Sequence, residues 1–310
     1  MIEVLKTGHS GRALATLAIG SKYLDRWQSH AERDWILYCE RNDLGLYVEE
    51  VDVDKSEIKK KPQWQKLLIG KTLKNSSLGV TDVCYLDSDI LINPYAPNIF
   101  DSCDFNRINM VSQLNNLPYP LHDVLRRMAY LRNRFFDDKY PLDSSLFMGK
   151  EESYTFQNLP VQDDISSAGL FVFNIEKFED WMYQIFYKYD HTVQSLSDGG
   201  DQMHINFEFQ NTRLVNWLDY RFEAQWTYEM AWKYPLLYQE LEVQSMDVTS
   251  AVESSLFANY FLHFAGSWFE SECILNINIL KKESTRQLFE SFADYRKQSV
   301  TGKSTGKVTP

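Results

Sequence analysis

A basic surplus is the first thing this chain lacks. Its 32 Lys and Arg are outnumbered by 43 Asp and Glu, a formal net charge of −11 over 310 residues. Such a balance offers no electrostatic footprint for a nucleic-acid backbone or an anionic membrane surface. Cysteine is scarce too. Cys39, Cys84, Cys103 and Cys273 include no C-x-x-C pair, which removes the usual sequence basis for a zinc ribbon or a dithiol redox centre. Cys39 and Cys84 lie inside apolar runs and read as small buried side chains in a reducing compartment. No apolar run approaches membrane-spanning length. The start, Met1 to Lys6, is too short and too charged for a secretory signal. The expectation is a cytoplasmic protein, at most peripheral to a membrane. No G-x-G-x-x-G, internal repeat or Gly/Ser/Pro-rich linker is present, so residues 1–298 read as one domain and the polar stretch 299–310 as a loose tail.

What is present is an alternation of strand and helix patterns. Ile2 to Lys6 reads as a first strand and Thr7 to Gly11 as a loop. A helix is expected next, with Leu14, Leu17, Ala18 and Leu24 on one face. A strand entering a helix through a small-residue loop is a common nucleotide-facing arrangement, which makes Thr7 a candidate contact. Trp35 to Cys39 and Tyr47 to Val53 read as the next strands, a helix follows Pro62, and Val80 to Leu86 is another strand. Further on, a helix is expected from Leu121 to Leu131, a strand from Ser167 to Asn174 and a helix from Ile175 to Tyr189. A helix from Asp201 to Phe209, strands from Arg213 to Leu218 and Asn259 to Phe264, and a closing helix from Ile279 to Lys297 complete the pattern. Strands alternating with helices imply an α/β protein with a layered, mostly parallel sheet. Residues 114–160 are less regular, rich in Asn, Pro and aromatics such as Tyr119, Tyr130 and Tyr140, and read as an insertion able to bind an acceptor or simply to pack.

The most informative stretch is Val83-Cys84-Tyr85-Leu86-Asp87-Ser88-Asp89-Ile90-Leu91-Ile92. Ligands in open α/β sheets sit just beyond the C-terminal ends of the strands. Side chains at i and i+2 of an extended segment face the same way, so Asp87 and Asp89 can share one divalent cation, or one can bind it while the other holds its water. A surface turn rarely sits between two apolar runs, and a cation relieves the repulsion of two close carboxylates. Asp-x-Asp after a strand also admits a haloacid-dehalogenase-type phosphatase, with Asp87 as nucleophile. Asp201 and Gln202, behind Gly199-Gly200, taken by themselves read as the N-cap of a helix. His263 ends a strand; imidazole joined to a carboxylate pair is a donor set suited to Mn²⁺.

Taken in order, these segments resemble the GT-A type of nucleotide-sugar glycosyltransferase, in particular the retaining family of glycogenin and the bacterial lipopolysaccharide galactosyltransferases. Tyr85 to Leu91 is similar to that family's Y-L-D-x-D-x-L. Ser167-Ala168-Gly169 with Asn174 is similar to N-A-G-V-x-x-x-N, and Asp201-Gln202 with Asn206 to D-Q-D-x-x-N. Trp217 to Phe222 is similar to the segment ending in L-D-x-R-F-N, and His263 with Gly266 to H-x-x-G-x-x-K-P-W. Ser167 replaces an Asn of the pattern, Lys66 stands where an Arg is usual, and the lysine of the last motif is missing. The resemblance implies a GT-A, Rossmann-like mixed sheet flanked by helices, with Mn²⁺ or Mg²⁺ held by Asp87, Asp89 and His263. It implies a nucleoside-diphosphate sugar, UDP-linked by preference, contacted by Thr7, Lys66, Asp87, Ser88, Asp89, Ser167, Ala168, Gly169 and Gly266. Asp201 and Gln202 would lie near the anomeric carbon, and transfer to a glycan or lipid-linked sugar acceptor would retain configuration. A GT-A scaffold that binds sugar nucleotides without catalysis is the remaining alternative.

Overall fold

The computed structural model describes residues 1–56, 60–135, 149–189, 200–234 and 245–265. Gly266, Cys273, the expected closing helix, the expected tail and residues 136–148 of the insertion lie outside them. Strands β1 (Ile2–Leu5), β2 (Arg12–Leu17), β3 (Gly45–Glu49), β4 (Asp82–Leu86), β6 (Ile108–Val111), β7 (Leu170–Asn174) and β8 (Val215–Leu218) form one seven-stranded sheet in the order β1-β3-β2-β4-β7-β6-β8. β3, β2 and β4 are mutually parallel, as are β6 and β8. β1 and β7 run against their neighbours. The sheet is therefore mixed, with five strands sharing one direction.

Period-two alternation of buried side chains explains why these segments are strands rather than helices. Ala13, Ala15, Val83, Tyr85, Phe171 and Phe173 enter one apolar core with Leu67, Ile69 and Met182. Their sequence neighbours Leu14, Cys84, Leu86, Leu170 and Val172 enter the other, with Trp27, Trp35 and Tyr38. Helices cover both faces. α1 (Ser21–His30) and α2 (Glu32–Asn42) lie on one side. The 3₁₀ turn Pro62–Leu68, α3 (Ile69–Asn75) and, further along, α6 (Ile175–Lys188) lie on the other. Between these come α4 (Leu121–Phe135) and α5 (Lys150–Phe156); after them come α7 (Gln202–Asn211), α8 (Trp226–Lys233) and α9 (Ser245–Ala258). Among the described residues, no helix is long and apolar enough to cross a membrane.

Two sequence expectations are corrected here. The helix expected after Gly11 is strand β2: Leu14 and Leu17 fall near helical spacing, but Ala13-Leu14-Ala15 alternates between the two cores. The strand expected at Trp35–Cys39 is the middle of α2. Buried Trp35, Tyr38 and Cys39 recur at helical intervals, Glu32 and Asp34 sit in the first turn, Arg41 sits in the last, and Asp43 closes the helix in the left-handed conformation. A five-residue apolar run cannot separate a strand from a buried helical turn by periodicity alone.

A second, small sheet builds the site. Its strands are β5 (Ile90–Ile92), β9 (Ala224–Gln225) and β10 (Phe261–His263). β10 pairs antiparallel with β5, setting His263 opposite Ile90, and parallel with β9, setting His263 beside Gln225. The apolar residues that resume after Asp89 are thus the strand that brings a distant histidine to the two aspartates.

Candidate metal and donor site

Asp87 and Asp89 follow β4 at the C-terminal end of the parallel strands. The pairing of β4 with β7 continues one step past the strands: the Asp87 N–H donates to the Gly169 carbonyl at 2.7 Å. On the far side, the Phe264 N–H donates to the Asp89 carbonyl at 3.1 Å. Trp35, buried in α2, donates its indole N–H to the Ile90 carbonyl at 2.9 Å and pins the segment from below. Each end of Asp87-Ser88-Asp89 is therefore held by backbone bonds before its side chains are considered.

Asp87, Asp89 and His263 offer three ligand atoms within 4.8 Å of one another. His263 Nε2 lies 3.3 Å from Asp89 Oδ1 and 3.9 Å from Asp87 Oδ2. Adjacent ligands of an octahedral ion with bonds of ~2.1 Å stand about 3 Å apart, so a small closure of this triad fits Mn²⁺ or Mg²⁺. The close packing supports that fit. A Cβ on Gly169 would stand 2.2 Å from His263 Cε1 and 2.9 Å from Asp87 Oδ2, so only glycine lets the two ligands approach here. Burial by itself lowers the His263 pKa, but Asp89 and Glu223 outweigh it and raise it to about 10. Burial also opposes the charge on Asp87, yet Lys66 and His263 hold its carboxyl below the usual range.

Lys66 is 2% exposed and spends its ammonium on three acceptors: the Ala168 carbonyl at 2.9 Å, Asp87 Oδ1 at 3.2 Å and Asp201 Oδ2 at 3.1 Å. Lys66 is thus an internal tie between the two acidic motifs. Tyr85 also donates to Asp87 Oδ1, at 2.6 Å. Ala168 takes a left-handed φ of 58°, which turns its carbonyl onto Lys66. Asp201 occupies the N-cap position of α7, but its side chain makes no cap bond and goes to Lys66 instead. Burial raises the Asp201 pKa, and Lys66 offsets only part of that. Gln202 donates to the Ser166 carbonyl at 2.9 Å and to Gln113 Oε1 at 3.2 Å. Asn206 grips Ser166 on both backbone groups, accepting its N–H at 2.7 Å and donating to its carbonyl at 2.8 Å.

A cavity of about 210 Å³ opens beside the acidic pair, lined by Leu17, Ile19, Tyr23, Pro62 and Tyr85 together with Asp87, Ser88 and Asp89. The structure therefore gathers Asp87, Ser88, Asp89, Ser167, Ala168, Gly169, Asp201, Gln202 and His263 around one end of the sheet. Thr7 stands apart from them. β1 runs antiparallel to β3, with Leu5 opposite Leu46 at the start of that strand, so Thr7 sits at the other end of the sheet. There it hydrogen-bonds the Tyr47 hydroxyl. The loop facing the cavity is the one after β2, at Ala18-Ile19-Gly20. Tyr119, a candidate for acceptor binding, is buried against Tyr220, Tyr228 and Trp232. Tyr140 and the side chain of Tyr130 lie outside the described residues.

The sequence reading missed Glu223. It is 1% exposed and its Oε1 lies 3.0 Å from His263 Nδ1, with the Ser167 hydroxyl on the same oxygen. A signal existed: Glu223 stands where the pattern L-D-x-R-F-N ends in Asn.

Neither a protein-family profile nor any curated protein matches the chain. Solved structures do. One is the galactosyltransferase LgtC in complex with donor and acceptor sugar analogs. At 12% identity the match covers 90% of this chain and 95% of that one, with a TM-score of 0.50. The chain has the GT-A fold. A glycosyltransferase involved in the glycosylation of the major capsid of PBCV-1 also aligns, at 9% identity over 87% of this chain and 98% of that one, with a TM-score of 0.48. Within this GT-A fold, the acidic pair, the Ser167–Gly169 turn and the start of α7 meet at the C-terminal end of the parallel strands, where open α/β sheets take their ligands.

Proposed function

We propose that this protein is a divalent-cation-dependent glycosyltransferase. It moves a sugar from a nucleoside diphosphate, UDP by preference, to a hydroxyl of a glycan or lipid-linked acceptor with retention of configuration. It does so in the cytoplasm, at most peripherally attached to a membrane. The observation that carries this reading is the convergence of Asp87, Asp89 and His263 at the C-terminal end of β4 in a GT-A fold. Bound there, Mn²⁺ or Mg²⁺ supplies Lewis-acid stabilisation of the diphosphate's growing negative charge.

The chain's own residues do the rest. The cavity walls at Leu17, Ile19 and Tyr23 take the nucleoside. The Ser167-Ala168-Gly169 turn, fixed by Asn206, holds the sugar over the start of α7. The C1–O bond breaks with its electrons going to the diphosphate, and the acceptor oxygen bonds C1 on the same face. The acceptor proton passes to the departing phosphate oxygen. Asp201, ion-paired to Lys66, is a poor nucleophile, which favours this same-face route over a covalent adduct on Asp201. Its carboxylate instead faces the positive charge that develops at the anomeric carbon.

The test is nucleoside-diphosphate release from a panel of UDP- and GDP-sugars, with Mn²⁺ or with EDTA. Metal-dependent release, lost in Asp89→Asn, supports the reading. Tight nucleotide binding with no release from any donor would leave only a binding scaffold. The phosphatase reading is not carried further, because the observed fold is GT-A.

A further inference from the structure

His263 has two ring nitrogens, and only one can face a cation. Which one does is decided by what the other touches. Nε2 points at the carboxylates, 3.3 Å from Asp89 Oδ1. Around Nδ1 stand Glu223 Oε1 at 3.0 Å, the Gln225 side-chain nitrogen at 3.3 Å and Ser167 Oγ at 3.5 Å. A carboxylate accepts from an imidazole N–H more strongly than a neutral group does, and Glu223 is also the nearest. Ser167 is committed elsewhere: it accepts the Gly169 N–H at 3.0 Å and gives its own proton to Glu223 Oε1. The groups form a chain. Gly169 N–H donates to Ser167, Ser167 O–H donates to Glu223, and Glu223 accepts the Nδ1–H of His263.

The register of the small sheet enforces this order. His263 is paired with Gln225 across β9 and β10, two residues beyond Glu223. Glu223 has no competing cation among its described partners: its bonds go to His263 and Ser167, and its second oxygen, buried, has no hydrogen-bond partner. A buried carboxylate left half-satisfied costs stability, so a purely structural role would be served better by a neutral amide. Ser167 and Glu223 are also the two positions at which the quoted patterns carry Asn and this chain does not, Asn174 and Asn206 being kept. They depart together and touch each other.

We propose that Glu223, oriented by Ser167, is a positioning residue that fixes His263 as the Nδ1–H tautomer and so presents Nε2 to a divalent cation. This rests on the reading of Asp87, Asp89 and His263 as a cation site. The anionic partner makes the imidazole a stronger donor than an amide partner would. Outer partners of this kind are typically worth about 10–100-fold in metal affinity.

The experiment uses the full chain without any sugar donor. Mn²⁺ uptake is followed by the electron paramagnetic resonance of the free ion, in wild type, Glu223→Gln and Ser167→Ala. In parallel, ¹⁵N spectra of the histidine side chains are recorded on Mg²⁺-saturated wild type, with His263→Asn assigning the resonance. The expected result is a loss of Mn²⁺ affinity of about 10-fold or more in Glu223→Gln and a smaller loss in Ser167→Ala. The wild-type spectrum should show a proton on Nδ1 and none on Nε2 of His263. A folded Glu223→Gln that binds Mn²⁺ within about twofold of wild type overturns the proposal, as does a proton on Nε2 in the Mg²⁺-saturated protein. If Glu223→Gln fails to fold, Ser167→Ala and the wild-type spectrum decide. Wild-type protein that takes up no Mn²⁺ also overturns it. Because nothing here involves sugar transfer, failure of the glycosyltransferase reading is seen separately, in the release assay.

Discussion

Gly169→Ala is the sharpest test of the site's geometry. The added methyl would sit 2.2 Å from His263 Cε1, 2.9 Å from Asp87 Oδ2 and 3.0 Å from Glu223 Oε1. Carbon atoms in ordinary contact stand about 3.5 Å apart, so the ring or the strand must move by roughly 1 Å. The ring is held on both sides, by Glu223 at 3.0 Å and by Asp89 at 3.3 Å. The strand is held by the Asp87 N–H on the Gly169 carbonyl at 2.7 Å. Metal ligands tolerate about 0.2 Å of displacement, so either escape dismantles the triad. Overpacking of this kind costs about 1–3 kcal/mol of stability. We expect a lower urea midpoint and a Mn²⁺ affinity reduced at least 10-fold, the cost of about one well-placed ligand partner. Gly149→Ala is the control: its φ is −66° and a Cβ there meets only Glu152 Oε2, at 3.7 Å. A Gly169→Ala protein with wild-type unfolding and wild-type Mn²⁺ uptake would refute the placement of His263 against the acidic pair.

Other outcomes follow from the same structure. Lys66→Met leaves Asp87 and Asp201 without their shared buried cation, and should cost about 3–5 kcal/mol in denaturant unfolding; adding Asp201→Asn should recover part of that, and a purely additive double mutant would contradict the tie. Thr7→Ala, at the opposite end of the sheet, should leave nucleotide affinity by calorimetry unchanged, whereas a tenfold loss would restore the Thr7 loop to the site. His204 is buried against Trp64 and Tyr189, and that burial lowers its pKa to about 4 from an ordinary 6.5, Glu208 only partly opposing. The unfolded chain therefore binds the extra proton first, and this residue's contribution to stability falls as pH drops from about 6.5 through about 4. His204→Gln should flatten the melting temperature across that window, and an unaltered slope would show that the acid sensitivity lies elsewhere.

How far the sequence could be read depended on whether the deciding interactions were local. The strand patterns at Asp82–Leu86 and Leu170–Asn174, the helix at Ile175–Lys188 and the acidic pair after β4 were legible, because each is a local pattern of apolar and polar residues. Two elements were misassigned, β2 and α2. Both misreadings came from windows of a few apolar residues, too short for periodicity alone to separate a strand from a buried helical turn.

The candidate site divides the same way. Sequence alone determined that two carboxylates stand at a strand's end, that a cation is the natural relief for them, and that the chain is too acidic and too poor in cysteine for several other chemistries. Only the tertiary structure decided the rest. It buried Lys66 between Asp87 and Asp201 and moved Thr7 away. It used the register of a three-stranded sheet to set His263 beside Asp89, with Glu223 behind it. The Lys66–Asp201 and Asp89–His263 contacts join residues more than a hundred positions apart, and Glu223 and His263 are 40 apart. No local pattern encodes a distance between them; the pairing of β5, β9 and β10 does.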